Sequence, residues 1–497
     1  MKRLIIVFIG FMIINPFLSL FCYSQITKKQ FTLDQVIQLA REQSPQAIMA
    51  KHRFRGSYWQ FRTYTAEYLP SLSLSGTLPD YSRIFEKEYD FEENKEKYVE
   101  KNTNNSSVSV SLSQNIGLTG GSIFMATDLR RFDILGKDEG TQYISTPISI
   151  GFRQPINGYN SLKWQRKIEP LKYEEAKKNY VDAMEQVAIN GVSYFFDLAL
   201  TQLNLEIAKV NYSNADTLYK IARGRYNIGT IAENELLQME LSILNAGTSL
   251  NKSNIDLEVN KFQLRSFLGF NETVDIELII PAKIPELEVD VNKALEEAKK
   301  NNPDIISLER QLIEAERDVA ESKSQKGLNA NLFATYGLTQ RAADLSGVYT
   351  DPLDQQRVRV GLEIPIVDWG LGKGRYRMAQ SSREVIRTTV QQAQTDFEQN
   401  IFLNVMQFNM QDDQLLIAAK ADNIAQLRYD VTKQRFLIGK IDVLDLNVAL
   451  SEKDKAKRDY IAALRNYWRF YYNIRQLTLY DFEKDQQLTE DFNILIQ

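Results

Sequence analysis

The sequence predicts a mainly α fold with a smaller set of alternating strands, built from one unit that occurs twice. Three observations carry this. Gly and Pro are sparse, 23 and 12 among 497 residues, which favours long uninterrupted helices. Three motifs recur at one separation of 210 positions. Gln154-Pro155-Ile156 matches Ile364-Pro365-Ile366, Arg225 to Gly229 matches Arg435 to Gly439, and Phe262 to Arg265 matches Tyr472 to Arg475. Finally, stretches with apolar residues on every second position lie between stretches with a seven-residue period.

The repeat sets the order of elements. Ser44-Pro45 and Asn302-Pro303 lie 258 positions apart, so the first unit holds 48 more residues than the second between its Pro motifs. The units are read as residues 25–288 and 289–497. Each opens with a short helix, and Thr32-Leu33-Asp34-Gln35 has the pattern of a capping box. Strands follow. Leu72, Leu74 and Leu78 alternate with Ser71, Ser73 and Ser75; Val108 to Ser113, Ile148 to Phe152, Leu332 to Tyr336 and Val358 to Leu362 do the same. Such strands suit a barrel with lipid outside and water inside, or an antiparallel sheet on a soluble core. The extra residues of the first unit are expected to add a hairpin, roughly 108–116 with 122–131, around a Gly-rich turn at 117–121. Asp80 to Asn105, rich in Glu, Lys and Asn, reads as an exposed loop, and Gln340 to Gln356 as its shorter counterpart.

Long helices come next. From Gly191 every seventh residue is Leu198, Leu205, Tyr212, Tyr219 and Tyr226, and the partner register holds Val187, Ala208, Ala215 and Ala222. The second unit repeats this with Ile401, Phe408, Leu415, Asp422, Tyr429 and Phe436. A sustained period of seven marks helices that wind around neighbours. From Pro170 to Tyr226 such a helix would run about 84 Å at 1.5 Å per residue. Gly229 and Gly439 then break each helix, since glycine takes the left-handed cap conformation freely. Returning helices run to about Gly269 and Leu477.

Composition narrows the function. Charges nearly balance, 60 Lys+Arg against 64 Asp+Glu, whereas a nucleic-acid protein shows a basic surplus. One His and one Cys leave little material for zinc, thiol or His-based acid–base chemistry, so neither an enzyme nor a metal or cofactor site is expected. The lone His52, among Lys51, Arg53 and Arg55, reads as a solvated helix residue. Lys2-Arg3, the apolar run from Leu4 to Phe21, and Cys22-Tyr23-Ser24 have the order of a cleavable secretory signal over residues 1–24. An uncleaved anchor, or lipidation of Cys22 behind a bulky Phe21, are the alternatives. No later run of 18 apolar residues exists, so a membrane crossing past residue 25 would require a β-barrel.

Duplicated halves, alternating strands, long helical hairpins and the segment Gly439-Lys440-Ile441-Asp442-Val443-Leu444-Asp445 together make the chain similar to the TolC-like outer-membrane efflux proteins (outer-membrane factors). The Ala-x-x-x-Ser/Asn-Pro pieces at 40–45 and 298–303 add to this. The resemblance implies a mainly α fold with a transmembrane β-barrel, in which three protomers form one α-barrel and one shared β-barrel. It implies a passive exit duct in the outer membrane that extends into the periplasm. The duct would work with a periplasmic adaptor (membrane fusion protein) and an inner-membrane pump in drug efflux or type I secretion. It places Asp442, Asp445, Phe436, Tyr226 and Glu235 at the closed periplasmic aperture, and Gly229, Gly439 and Lys440 on turns that meet the adaptor. Phe436 stands where the family often has Tyr. Without the resemblance, Asp442 is a helix N-cap and Asp445 a first-turn acid favoured by the helix dipole. The competing class is a periplasmic coiled-coil adaptor or scaffold without a channel, which explains the heptads but not the strands.

Overall fold

The computed structural model describes residues 28–91, 94–136, 139–270, 275–281, 284–438, 440–441 and 443–496. The signal segment 1–24, Gly439 and Asp442 therefore lie outside the described residues. The chain forms two compact units, one of residues up to Val36 with Asp197–Ala282, the other of Ile37–Phe196 with Lys283–Gln497.

In chain order the first half contains β1 (Lys28–Thr32), α1 (Leu33–Gln43), α2 (Pro45–Ala66), β2 (Ser71–Asp90), β3 (Lys95–Ile116), β4 (Gly121–Leu135), β5 (Gly140–Ile156), α3 (Ser161–Asn227), α4 (Glu233–Leu268) and β6 (Asp275–Ile279). There follow α5 (Val291–Asn301), α6 (Pro303–Gln325), β7 (Asn329–Ala342), β8 (Leu353–Glu363), α7 (Leu371–Asn409), α8 (Gln411–Leu437), α9 (Val443–Thr478), β9 (Tyr480–Asp481), β10 (Gln486–Gln487) and α10 (Phe492–Ile496).

The capping box forms as expected: the Thr32 backbone N–H donates to Gln35 Oε1 at 3.0 Å and the Gln35 N–H to Thr32 Oγ1 at 3.4 Å. The opening helix of each half is, however, a pair. The residue before a proline favours extended backbone, and Ser44 and Asn302 adopt it, so the chain restarts with Pro45 and Pro303 in a first helical turn. Ser44 Oγ and Asn302 Oδ1 cap the second member by accepting the N–H of Ala47 at 3.1 Å and of Asp304 at 2.8 Å. The long helix α3 starts at Ser161 rather than Pro170, and Pro170 lies inside it. With nine helical residues before it, Pro170 lies past the first turn and leaves the Arg166 carbonyl without its usual i+4 N–H donor.

In the smaller unit β1 pairs in parallel with β6, Lys28 opposite Asp275 through Thr32 opposite Ile279. The Phe31 and Phe270 rings stack at 6.3 Å and Gln202 Nε2 donates to the Ile276 carbonyl at 3.1 Å. Leu198, Leu205, Ala208, Ala215 and Ala222 of α3 are buried, while Tyr212 and Tyr226 stand exposed. The large seam is buried at Leu198 and Leu205, and from Ala208 onward the small seam is the buried one, since alanines allow helices to approach. In the larger unit the large seam is buried: Ile401, Phe408, Leu415, Tyr429 and Phe436. Its polar member Asp422 is paired with Lys457 of α9 at 3.1 Å.

The sheet of the larger unit has six strands in the order β2-β3-β4-β5-β7-β8, all antiparallel. The expected extra hairpin is present as part of β3 and β4, joined through the turn at 117–120. Residues 80–90 and 95–105 are strand, not loop. Their charges alternate with Tyr81, Phe85, Tyr98 and Val99 and pair across the hairpin, Arg83 with Glu100 at 2.8 Å and Lys101 with Glu86 and Glu88 at 2.7 and 2.6 Å. Charge-rich composition suggested a loop, yet opposite charges placed across from one another stabilise a hairpin. Between β7 and β8 the expected loop is shorter, 343–352, with a single helical turn at Gly347–Tyr349.

Candidate channel wall and helical tips

Register places a continuous set of apolar strand positions on one face. Leu72 lies opposite Leu112, Leu112 opposite Met125, Met125 opposite Ile150 and Ile150 opposite Tyr336. Phe152, Ala334 and Val358 continue one row over, and Leu332 and Val360 the next. Leu72, Leu74, Val358 and Leu362 are each 65–73% exposed, so no described residue covers this apolar band. Side chains alternate across a strand, so the opposite face carries the polar set. Ser71 with Ser113, Ser73 with Ser111 and Ser75 with Ser109 form a ladder of hydroxyl hydrogen bonds at 2.8–2.9 Å. Apolar outside and hydroxyl-lined inside is the pattern of a membrane barrel wall. Among the described residues no helix is long and apolar enough to cross a membrane.

The sheet has a helical end and a free end. Strand β2 starts just after α2, β5 ends just before α3, β7 starts after α6, and β8 ends before α7. The far ends of β2 and β4, at Asp90 and Leu135, and the connection 343–352 are at the other end. Among the described residues, edges β2 and β8 have a partner strand on one side only.

Each helical hairpin ends in a cap of the same design. At the α3–α4 tip Gly229 has φ +74°, its N–H donates to the Tyr226 carbonyl at 2.9 Å, and the Thr230 N–H reaches the Arg225 carbonyl at 2.9 Å. At the α8–α9 tip the Lys440 N–H reaches the Arg435 carbonyl at 3.0 Å. Both bonds run from residue i to i−5, the wrap that satisfies orphan carbonyls at a helix end. The expected site residues divide between the tips. Tyr226, Gly229 and Glu235 belong to the first, with Glu235 exposed in the first turn of α4. Phe436, Lys440 and Asp445 belong to the second, with Phe436 buried and Asp445 in the first turn of α9. Lys440 is exposed and forms no ion pair with a described residue. A buried phenyl at 436 needs no hydrogen-bond partner, which fits Phe there instead of Tyr. Among the described residues no cluster of His, Cys, Asp and Glu is placed to hold a metal.

One cluster was not foreseen. Arg475 of α9 donates through Nε to Glu185 Oε2 of α3 at 3.0 Å and through Nη1 to Asp481, and Arg41 of α1 also donates to Glu185. The guanidinium lies over the Tyr471 and Tyr472 rings at 5.6 and 5.5 Å. Side-chain exposures are 11% for Arg475, 3% for Glu185 and 2% for Asp481. Burial opposes the charge on Arg475, but the Glu185 carboxylate outweighs it and raises the guanidinium pKa above its ordinary value. A hint was present in the sequence: Arg475 closes the third repeated motif.

An exposed apolar strand band and long capped helical hairpins are the parts that a membrane-channel wall and a helical tube require. Comparison with known proteins agrees. Residues 294–478 match the family described as Outer membrane efflux protein. The fold is similar to the CmeC outer membrane channel of Campylobacter jejuni, with TM-score 0.67 and 16% identity over 100% of this chain and 97% of that one. It is similar to VceC from Vibrio cholerae, with TM-score 0.61 and 14% identity over 92% and 96% of the two chains. It is also similar to the open state of the Neisseria gonorrhoeae MtrE channel, with TM-score 0.60 and 13% identity over 92% and 90%. No curated protein sequence matches the chain. The resemblance to TolC-like outer-membrane efflux proteins is thus borne out.

Proposed function

We propose that the chain is the outer-membrane channel component of a tripartite efflux pump or type I secretion system, a passive exit duct and not an enzyme. The observation that carries this is the continuous exposed apolar band across all six strands, backed by a hydroxyl-lined face. An adaptor or scaffold has no use for such a band. A lone sheet with two bare edges is also an aggregation hazard that closure removes. Pairing β2 of one copy with β8 of the next in a homotrimer closes the sheet. Six strands per copy then make an eighteen-stranded barrel, in the range where an aqueous channel remains open. The four strands per copy typical of the family would give twelve. Exposed Leu237, Leu241, Leu244 and Phe262 on α4, and Leu416, Ile424 and Leu427 on α8, are the faces that neighbouring protomers would cover.

The repeats 25–288 and 289–497 each supply one helical tip to the periplasmic end. Gly229, Gly439 and Lys440 sit on the turns where a periplasmic adaptor would dock. Asp442 and Asp445, with Phe436, Tyr226 and Glu235, would line the aperture, and three copies of the two aspartates would favour cations there. Replacing both aspartates by Ala is expected to make the closed channel leakier and less cation-selective in planar bilayers. Unchanged conductance and selectivity with lower thermal stability would reduce them to helix caps, which are worth about 0.5–2 kcal/mol each. For the function itself, membrane fractionation and bilayer recording are the test. Outer-membrane recovery as a trimer with ion conductance supports it; recovery with the inner membrane and no conductance supports the adaptor reading.

A further inference from the structure

The polar face of the sheet is not uniformly neutral. Arg153 and Arg359 share one lateral row of this face and Arg357 lies in the adjacent row, with no carboxylate in either; Glu363, opposite Asn329, is on the same face two rows nearer the helical end. Arg153 lies opposite Phe333 on β7, and Phe333 lies opposite Arg359 on β8. The two guanidinium groups flank the Phe333 ring at 6.0 and 5.4 Å, and the Phe124 ring stacks on Phe333 at 5.9 Å. Arg357 lies two residues along β8 from Arg359, opposite Thr335. None of the three forms an ion pair with a described residue, and all are exposed. Unpaired arginines stacked on an aromatic platform offer an anion charge-assisted hydrogen bonds and a flat ring offers its organic part a surface.

We propose that this cluster is a binding and selectivity site for organic anions, above all aromatic ones, at the periplasmic mouth of the barrel. The inference rests on the channel reading, because only closure into a barrel turns this face toward a lumen. Three copies bring nine arginines to two adjacent rows of the wall, the arrangement that favours anions in charged pores. The site acts in series with the aspartates at the helical tips and has the opposite sign. Cargo that carries a carboxylate or sulfonate on an aromatic body would therefore be retained at the barrel entrance and passed outward.

The test uses the full-length trimer in planar bilayers, with 1-naphthalenesulfonate as probe and neutral 1-naphthalenemethanol as control. Wild-type conductance must first be seen; its absence refutes the channel reading and not this site alone. The sulfonate is expected to block the wild-type channel and the alcohol to leave it open. In R153Q/R357Q/R359Q the half-blocking concentration should rise at least tenfold, and the reversal potential in a KCl gradient should move toward cation preference. An unchanged half-blocking concentration and reversal potential in an assembled, conducting triple variant overturn the proposal. Should the triple variant not assemble, R357Q is read instead, because Arg357 touches neither ring. It should raise the half-blocking concentration at least twofold, and no change there overturns the proposal equally. F333L separates the two parts of the site: sulfonate block should weaken while the reversal potential holds.

Discussion

Replacing Arg475 by Met is expected to destabilise the larger unit more than any other single Lys- or Arg-to-apolar exchange on α9. Methionine fills much of the volume, so packing against Tyr471 and Tyr472 is largely kept. What is lost is the charge between Glu185 and Asp481, both nearly without solvent. Asp481 keeps the N–H groups of Glu483 and Lys484, each at 3.1 Å, while Glu185 keeps only Arg41, whose side chain is 30% exposed. Removing one partner of a buried ion pair costs about 3–5 kcal/mol, because the remaining charge stays desolvated. That is on the order of a 150- to 5,000-fold change in the unfolding equilibrium. Trp468 packs on Tyr471 at 5.5 Å between centroids and gives a fluorescence reporter beside the site. Guanidinium unfolding in detergent would be followed for the wild type, R475M, E185Q and the double variant. The double variant should recover much of the loss, giving a coupling above about 2 kcal/mol. A loss below about 1 kcal/mol for R475M, or additivity within about 0.5 kcal/mol, would refute the reasoning.

Three further outcomes are expected. Asp182 lines a cavity of about 600 Å³ between α2, α3 and α6, and burial raises its carboxyl from 3.8 to about 6, against a hydrogen bond from Gln476. A carboxyl with a raised folded pKa binds its proton more tightly when folded, so stability is greatest below pH 4 and falls as pH rises through 6. D182N should flatten the stability profile over that window, by on the order of 1–3 kcal/mol, in thermal unfolding scans. Gly337→Ala should impair trimer assembly on gels, since a Cβ there would lie 2.5 Å from the Ile148 carbonyl oxygen and 2.8 Å from Ser149 Cα, and overpacking of this kind costs about 1–3 kcal/mol. Gly229→Ala meets open space but must hold φ +74°, so it should cost about 1–2 kcal/mol locally and speed amide exchange at Thr230 without lowering global stability.

Much of this protein is written locally. Thr32 and Gln35 specify a capping box, Ser44-Pro45 and Asn302-Pro303 specify helix restarts, Gly229 specifies a tip, and Leu-Ser alternation specifies strands with two unlike faces. Each needs only neighbours a few residues away, so short-range pattern suffices. The seven-residue period likewise announces long helices that pack on others, and it showed two possible seams. Which seam is buried was decided by the tertiary structure: alanines from Ala208 onward in the smaller unit, Phe408, Tyr429 and Phe436 in the larger. The charged hairpin from Asp80 to Asn105 was also decided there, because Arg83 and Glu100 stabilise a strand pair only once they face each other. The same holds for the two sites of greatest consequence. Glu185 and Arg475 are 290 positions apart, and Arg153, Phe333 and Arg359 come from three strands in two halves of the chain. Residue identity alone says what charge or ring is present; only the register of packed elements says what stands beside it, and proximity sets both desolvation and Coulomb energy.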